Sequence, residues 1–196
     1  MSGKPQYDEA DVLDAAMAVF WTHGYAAASV SDLIAATGLS RSSLYQRFGD
    51  KDGLFKEVLE RYRDRVVRRM KGAEGNSQKL RIEALLRDFV PRPGKSARPA
   101  GCLLARCCAE MADIPATAKS SVVGGVSDQH AAIEGILRAA SASGELPAGT
   151  DLSGMAWYYL GVAQAIVNLP QAGAPIAAMR RMVDVAMSAW PPNGSG

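Results

Sequence analysis

The segment from residue 40 to residue 51, SRSSLYQRFGDK, gathers side chains that can bind nucleic acid. Arginine can hold guanine through two hydrogen bonds, glutamine can hold adenine in the same way, and hydroxyl groups bind phosphate oxygens. The ammonium group of a lysine is suited to a phosphate contact. The segment therefore predicts a DNA-reading surface with contacts from Arg41, Ser42, Ser43, Tyr45, Gln46, Arg47 and Lys51.

A short amphipathic helix would present these side chains. Leu44 and Phe48 lie four residues apart, so both point to one face of a helix and pack inward. Ser40 precedes the helix and can cap its free amide groups, whereas Gly49 ends it. The predicted helix thus leaves its cations and hydroxyls facing solvent. An ordinary surface helix has a similar composition, so the neighbouring elements must decide between the two interpretations.

The elements on either side favour a helix-turn-helix. Ser29 stands three residues before Asp32, which is the spacing of a capping box at the start of a helix. Gly38 then supplies a tight turn before the second helix of the pair. A helix from 8 to 23 is predicted before this pair, and a long helix with many arginines is predicted from 52 to 71.

The rest of the chain predicts further helices and no strands. No alternating apolar pattern bounded by turn signals occurs, so the predicted fold class is all-α. We expect a three-helix head with the helix-turn-helix at 1–51 and a helical body at 52–196. Prolines exclude a helix from 91 to 99, and the tail from 191 to 196 is expected to be disordered. The helices expected beyond residue 71 are 77–90, 101–113, 116–143, 152–168 and 175–190.

Charge and cysteine content narrow the class of function. The formal net charge of the 196 residues is +2, which is too small to mark the whole chain as a nucleic-acid binder, so a basic face must be local. The first residues lack the apolar core of a signal peptide, and no apolar run approaches the ~20 residues that span a bilayer. The three cysteines fall in one predicted helix and do not form a disulfide framework. A cytoplasmic protein with reduced thiols and no membrane partner is expected.

Residues 11 to 57 resemble the N-terminal domain of the tetracycline-repressor (TetR) family of transcriptional regulators. The resemblance rests on AMAVFWTHGYAAASVSDLIAATGLSRSSLYQRFGDKDGLF, above all on Phe20, Gly24 and Tyr25 and on the L-Y-x-x-F and K-x-x-L-F patterns. It implies an all-α homodimer that binds a double-stranded DNA operator, usually repressing nearby genes until a small-molecule effector releases it. Residues 52–196 would then form the ligand-binding and dimerisation domain.

The resemblance also assigns roles to single residues of the head. Arg41 and Ser42 would lie at the groove-facing start of the recognition helix, and Lys51 would hold a phosphate. Ser29 is added as a contact, because relatives often place a phosphate-binding serine or threonine there. This chain departs from the pattern at Ala28, which cannot supply a second hydroxyl.

The helical body gives weaker signals for an effector site. The stretch MAWYYLGVAQAIVNL, at 155–169, concentrates aromatic rings with one glutamine, and an apolar pocket with a few polar groups is typical of ligand sites. Core packing or a dimer contact explains these residues equally well. The candidate pocket residues are Cys102, Met111, His130, Trp157, Tyr158 and Gln164.

Cys102 is also the best candidate for a sensing thiol, because some TetR-like regulators, which this chain resembles, have a similar glycine-cysteine start to this helix. The stretch GCLLARCC, at 101–108, places Arg106 beside Cys107, and a neighbouring cation favours the reactive thiolate. The plainer interpretation is that cysteine serves as a small buried residue of a helix. A thiol-based redox or electrophile sensor acting through Cys102 is therefore an alternative to a regulator that binds a small molecule.

The helix predicted from 175 to 190 is the candidate dimer interface. Its apolar residues recur at near-helical spacing, and two heads on one two-fold axis would require a pseudo-palindromic operator. An internal core helix is the alternative interpretation. The candidate dimer contacts are Ile176, Met179, Met182, Val183 and Met187.

Other classes of function find little support in the sequence. No constellation of nucleophile and base and no phosphate-binding loop occurs, so an enzyme is not expected. The chain has two histidines and no acidic cluster at helical spacing, so neither a metal site nor a cofactor is expected. A structural DNA-binding protein without a ligand is a further alternative, and it would show weak sequence preference.

Overall fold

The structure, a computed structural model, describes residues 7–92, 94 and 99–192. Within these residues all regular secondary structure is helical, as the sequence predicts. Most of the proline-rich segment at 91–99 and most of the tail at 191–196 lie outside the described residues. The helices are α1 (Glu9–Ala27), α2 (Val30–Thr37), α3 (Arg41–Phe48), α4 (Lys51–Lys71), α5 (Gln78–Phe89), α6 (Leu103–Ala109), α7 (Ala116–Ala142), α8 (Leu152–Asn168), a short 3-10 helix (Leu169–Ala172) and α9 (Ile176–Ser188).

Side-chain caps fix the starts of several helices. Ser77 accepts a hydrogen bond from the N–H of Leu80 at 3.2 Å and so begins α5. Asp151 accepts from the N–H of Gly154 at 2.9 Å and begins α8. Because such caps pair amide groups that the helix itself leaves free, the polar residue before an apolar periodic run predicts the helix start well.

Two helices differ from the prediction in length. α1 was expected to end at His23, but it continues to Ala27 across a break at Gly24, where φ is 82° and ψ is 171°. α6 was expected over 101–113 and covers only Leu103–Ala109. Gly101 has a φ of 86°, which is not helical, and the residues after Ala109 form turns closed by Glu110.

The chain forms two compact units. The first comprises residues 1–64 and 103–125, and the second comprises residues 65–102 and 126–196. α4 and α7 each continue from one unit into the other. The boundary expected between residues 51 and 52 therefore falls within the first unit, at the start of α4.

Aromatic rings pack the core of the first unit. Phe20 meets Phe55 edge-on with 4.8 Å between ring centroids, and both side chains are fully buried. Trp21 packs in the same manner against Tyr62 at 5.0 Å. Burying one such ring stabilises the fold by roughly 1.5–3 kcal/mol relative to its exposure, so these contacts hold α1 and α4 together.

The second unit has its own aliphatic core. α5, α8 and α9 pack on one another, and α7 adds a buried face through Ile133 and Leu137. Val183 on α9 and Ile82 on α5 are fully buried. Among the described residues, none of the helices is both long enough and apolar enough to cross a bilayer.

Candidate nucleic-acid interface

The helix-turn-helix pair is built from local hydrogen bonds that the sequence predicts. Ser29 accepts the N–H of Asp32 at 3.1 Å, and Asp32 accepts the N–H of Ser29 at 3.0 Å, which completes a capping box. The hydroxyl of Ser29 donates to the carboxylate of Asp32 at 2.6 Å and lowers its pKa, and the backbone N–H of Ser29 adds to this effect. Gly38 has a φ of 70° and ends α2 through a hydrogen bond from its N–H to the carbonyl of Ile34. Glycine adopts this left-handed backbone without strain, which explains its presence at the end of α2.

α3 is anchored through one face and exposed through the other. Leu44 is fully buried and Phe48 is 7% exposed, as their spacing predicts. Ser40 caps the helix by accepting the N–H of Ser43 at 3.0 Å. Arg41, Ser42, Tyr45 and Gln46 are exposed, and 39% of the surface of Tyr45 is open to solvent. A cation, hydroxyls and an amide therefore stand together on a solvent-facing surface.

Three hydroxyls gather at the start of α3. The Oγ of Ser40 lies 2.9 Å from the Oγ of Ser42 and 2.8 Å from that of Ser43. Ser43 is half-buried, whereas Ser42 is exposed. Phosphate oxygens accept hydrogen bonds well at helix N-termini, so this end of α3 is chemically suited to the DNA backbone.

Arg47, which the sequence assigns to the DNA surface, is held by two carboxylates. Its guanidinium donates to Glu57 at 2.9 and 3.0 Å, and it also forms an ion pair with Glu9. The hydrogen bonds that Arg47 donates to Glu9 and Glu57 raise its pKa. Since Glu9 lies on α1 and Glu57 on α4, Arg47 ties α3 to both helices. A DNA contact by Arg47 stays a prediction, and the geometry gives this residue a structural task.

Lys51 begins α4 and rests on an aromatic ring. Its ammonium lies 4.4 Å from the ring centroid of Tyr25, a cation–π distance. Partial burial lowers the pKa of Lys51, and the carboxylate of Asp52 opposes this shift. The hydroxyl of Tyr25 donates to Asp52, and this hydrogen bond holds the ring in place beside the ammonium. The contact with Tyr25 therefore orients the ammonium of Lys51 at the start of α4. A phosphate contact by Lys51 stays a prediction.

Glu110, which belongs to no motif of the sequence, closes the turn that holds Tyr25. Its Oε2 accepts the backbone N–H of Tyr25 at 3.0 Å, and its Oε1 forms an ion pair with Arg106 at 3.1 Å. The carboxylate also fills the space where a Cβ at Gly24 would lie. In the sequence, the only sign of this close approach is Gly24, a residue without a side chain. No local pattern connects Tyr25 with Glu110, which lies 85 positions away.

The predicted pocket residues differ in exposure and are divided between the two compact units. Trp157 is 51% exposed and Tyr158 is 43% exposed, so both rings face outward. The ring of Trp157 lies 4.3 Å from that of His130, centroid to centroid. Met111 is half-buried in the first unit, whereas the other five candidates belong to the second. Of those, Cys102 is buried, and Gln164 donates to Gln129, which is not among the predicted pocket residues.

Tyr158 lines an open groove of about 350 Å³ in the second unit. Its neighbour Tyr159 also lines this groove and is almost fully buried. Burial raises the pKa of Tyr159 to about 12, so the phenol is neutral at physiological pH. Among the described residues there is no cluster of potential metal ligands.

The predicted dimer contacts on α9 point largely into the chain's own core. Met179 is 3% exposed, Val183 is fully buried and Met187 is 7% exposed. These three therefore fill the second unit, which is the alternative the sequence left open, and they are not available to another chain. Ile176 and Met182 are half-buried at its edge. The periodicity identified an apolar face correctly, but it did not distinguish an internal partner from an external one.

Comparison with known proteins gives matches over both units. A sequence profile described as "Bacterial regulatory proteins, tetR family" matches residues 12–58, and one described as "Tetracyclin repressor-like, C-terminal domain" matches residues 79–186. The chain is 30% identical over 198 residues to the HTH-type transcriptional repressor ComR of Escherichia coli (strain K12), covering 96% of this chain and 92% of that protein.

Solved structures agree with this match. A cysteine mutant of the TetR family transcriptional regulator CifR, complexed with 26 bp double-strand operator DNA, superposes with a TM-score of 0.83 and 27% identity. That alignment covers 96% of this chain and 100% of the other. The reduced form of E. coli NemR also superposes with a TM-score of 0.83, at 14% identity over 94% of this chain and 98% of that one, and so shares the fold.

Proposed function

Because the chain belongs to the tetR family of bacterial regulatory proteins, and is a DNA-binding transcriptional regulator of the repressor type, we propose that it binds a pseudo-palindromic operator as a homodimer and is released by a small molecule. The observation that carries the proposal is the exposed face of α3. Arg41 and Ser42 stand free of the core there, while Leu44 holds the helix in place.

The two kinds of DNA contact fall on different residues. Arg41 and Gln46 are exposed on α3 and have the hydrogen-bonding groups that distinguish base edges. Ser29, Ser42, Ser43 and Lys51 carry the hydroxyls and the ammonium that bind phosphate. Tyr45 can serve either purpose through its exposed hydroxyl. We therefore assign base reading to Arg41 and Gln46 on α3, and phosphate positioning to residues at the starts of α2, α3 and α4.

A footprinting experiment tests the operator. DNA that flanks the gene is titrated with the full-length protein, and the protected region is compared with a duplex that keeps only one half of it. The proposal expects protection of two half-sites about one helical turn apart and a large loss of affinity on the half duplex. Uniform protection without a preferred site would favour the alternative of a structural DNA-binding protein.

We place the dimer contact on the outer faces of α8 and α9. Trp157 on α8 is 51% exposed and Val185 on α9 is 67% exposed, although both are large apolar side chains. The second copy of the chain is the natural occupant, since an operator with two half-sites requires two heads on one axis. Sedimentation of Val185→Asp should show monomer, whereas Val123→Asp, a change at a 59% exposed valine of α7, should leave the dimer intact.

Release follows from a change in the spacing of the two recognition helices. α4 starts with Lys51 in the head and continues into the second unit, so a ligand that favours another position of this helix alters how the heads fit successive major grooves. A thermal-shift screen of small metabolites, followed by operator release in a gel-shift assay, tests this part. Stabilising ligands that never release DNA would contradict it.

Thiol sensing is the second candidate for the release signal. The observation that favours it is the place of Cys102, which directly precedes α6 and whose backbone N–H donates to Asn168 at 3.1 Å. Cys102 and Cys107 are buried, whereas Cys108 is exposed. If a thiol transmits the signal, Cys102→Ser abolishes release by an electrophile. An unchanged response in Cys102→Ser removes Cys102 from the mechanism, and Cys108→Ser is the matched control for reaction at the surface.

A further inference from the structure

A row of three side-chain amides inside the second unit ends in a donor that has no acceptor among the described residues. Asn168 and Gln164 lie on α8, and Gln129 lies on α7. Gln129 is 3% exposed, and its Nε2 makes no hydrogen bond to any described residue. Buried amide donors are nearly always paired in folded proteins, so this one calls for a partner.

The backbone at the other end fixes the direction of every hydrogen bond in this amide row. The N–H of Cys102 can only donate, so Asn168 accepts it with Oδ1 at 3.1 Å. Asn168 then donates through Nδ2 to the Oε1 of Gln164 at 3.3 Å. Gln164 in turn donates through Nε2 to the Oε1 of Gln129 at 3.0 Å. The open end of the row is therefore an N–H group of Gln129 and not an oxygen.

We propose that Gln129 anchors the effector by donating a hydrogen bond from Nε2 to the carbonyl oxygen of a small, neutral organic molecule. The inference rests on the proposed function, because it names the chemical class of the ligand that releases the repressor. A ligand group that only donates cannot pair with Nε2. A neutral amide also carries no charge to offset the burial of an anion, so a carbonyl compound fits better than a carboxylate.

The same row of hydrogen bonds connects a ligand at Gln129 to the start of α6. Its first hydrogen bond is made by Cys102, the residue immediately before α6 begins at Leu103. An acceptor at Gln129 extends the row by one hydrogen bond, and hydrogen bonds in such chains strengthen one another. Binding of a carbonyl group at Gln129 thus stabilises the position of Asn168 and of the backbone that leads into α6.

Paired probes that differ only in the acceptor test the proposal. The full-length protein, labelled with 15N, is titrated with cyclohexanone and with methylenecyclohexane, which replaces the oxygen by a CH2 group, and with acetophenone and α-methylstyrene as a second pair. The side-chain amide resonances of Gln129 are identified by their loss in Gln129→Met. We expect at least one ketone to shift these resonances and to bind about tenfold to a hundredfold more tightly than its alkene partner.

Two variants and a DNA assay separate the possible outcomes. Gln129→Met should reduce ketone binding to the level of the alkene, and Gln129→Glu, which keeps an acceptor for Gln164, should weaken it as well. Equal shifts with ketone and alkene, or no shift with either ketone, overturn the inference. An operator released by compounds without an acceptor oxygen would overturn it while sparing the proposed function. Failure of the unliganded protein to bind an operator would instead refute the proposed function.

Discussion

The carboxylate of Glu110 accepts the backbone N–H of Tyr25 at 3.0 Å, joining residues 85 positions apart in the chain. Glu110 follows the end of α6, and Tyr25 lies in the last turn of α1. The ring of Tyr25 supports the ammonium of Lys51. Through Tyr25, the carboxylate of Glu110 therefore connects the end of α6 to Lys51, which we expect to hold a DNA phosphate.

The first prediction concerns Gly24. Alanine at this position is disfavoured twice, because φ is 82° with ψ near 171° and because the new Cβ would meet the Glu110 carboxylate. We expect Gly24→Ala to lower the free energy of unfolding by about 2 kcal/mol or more. Gly38→Ala is the matched control, since φ is 70° there but no atom lies within 4 Å of the added Cβ.

Urea denaturation of the two variants measures the difference. Gly38→Ala should cost about 1 kcal/mol, the ordinary penalty for alanine in a left-handed helix cap. If the two variants lose equal stability, Glu110 does not occupy the space at Gly24 in solution.

The second prediction concerns the carboxylate itself. Glu110→Ala leaves the N–H of Tyr25 without its acceptor, so the free energy of unfolding should fall by roughly 1–3 kcal/mol. Glu110→Gln keeps an oxygen for that N–H and should recover part of the loss, measured by thermal or urea unfolding. Glu74→Ala, at an exposed glutamate, is the control and should leave stability unchanged. A Glu110→Ala protein as stable as the control would contradict the role of this contact.

The third prediction concerns pH and the ion pair between Arg47 and Glu9. The hydrogen bond from Arg47 lowers the pKa of Glu9 from its ordinary value of 4.5. The pair therefore stabilises the fold above pH 4.5, and this contribution is lost as the pH falls through the lowered pKa. The side chains of Arg47 and Glu9 are 34% and 45% exposed, so solvent screens their attraction. The ion pair should therefore add less than about 1 kcal/mol to the free energy of unfolding.

Melting temperatures between pH 7 and pH 3 test this prediction. Glu9→Gln should melt slightly below the unmodified protein at pH 7, and the two should converge at the acidic end of the range. A difference that persists unchanged at pH 3 would show that Glu9 acts through something other than its charge.

Local hydrogen bonds explain which parts of the fold the sequence predicts. Ser29, Gly38 and Ser40 each act within four residues along the chain, so α2, the turn and α3 follow from spacing alone. Leu44 and Phe48 are buried because their four-residue spacing places both on the same face of α3.

Contacts between distant residues explain what the sequence does not predict. Arg47 is attractive for DNA by its type, and only the fold brings Glu9, 38 positions away, to its guanidinium. Met179 belongs to an apolar stripe whose partner, internal or external, no periodicity identifies. The Nε2 of Gln129, which has no acceptor among the described residues, likewise owes its position to packing between α7 and α8.

The fourth prediction tests the central claim, which is that α3 reads a specific operator. Binding of the unmodified protein, Arg41→Ala and Lys51→Ala is titrated on the footprinted operator and on a scrambled duplex at several salt concentrations. We expect Arg41→Ala to lose about 1–3 kcal/mol of binding free energy on the operator and little on the scrambled duplex. Lys51→Ala should weaken binding to both duplexes and reduce the salt dependence of binding by about one phosphate contact. Equal losses on both duplexes for Arg41→Ala would contradict base reading by α3.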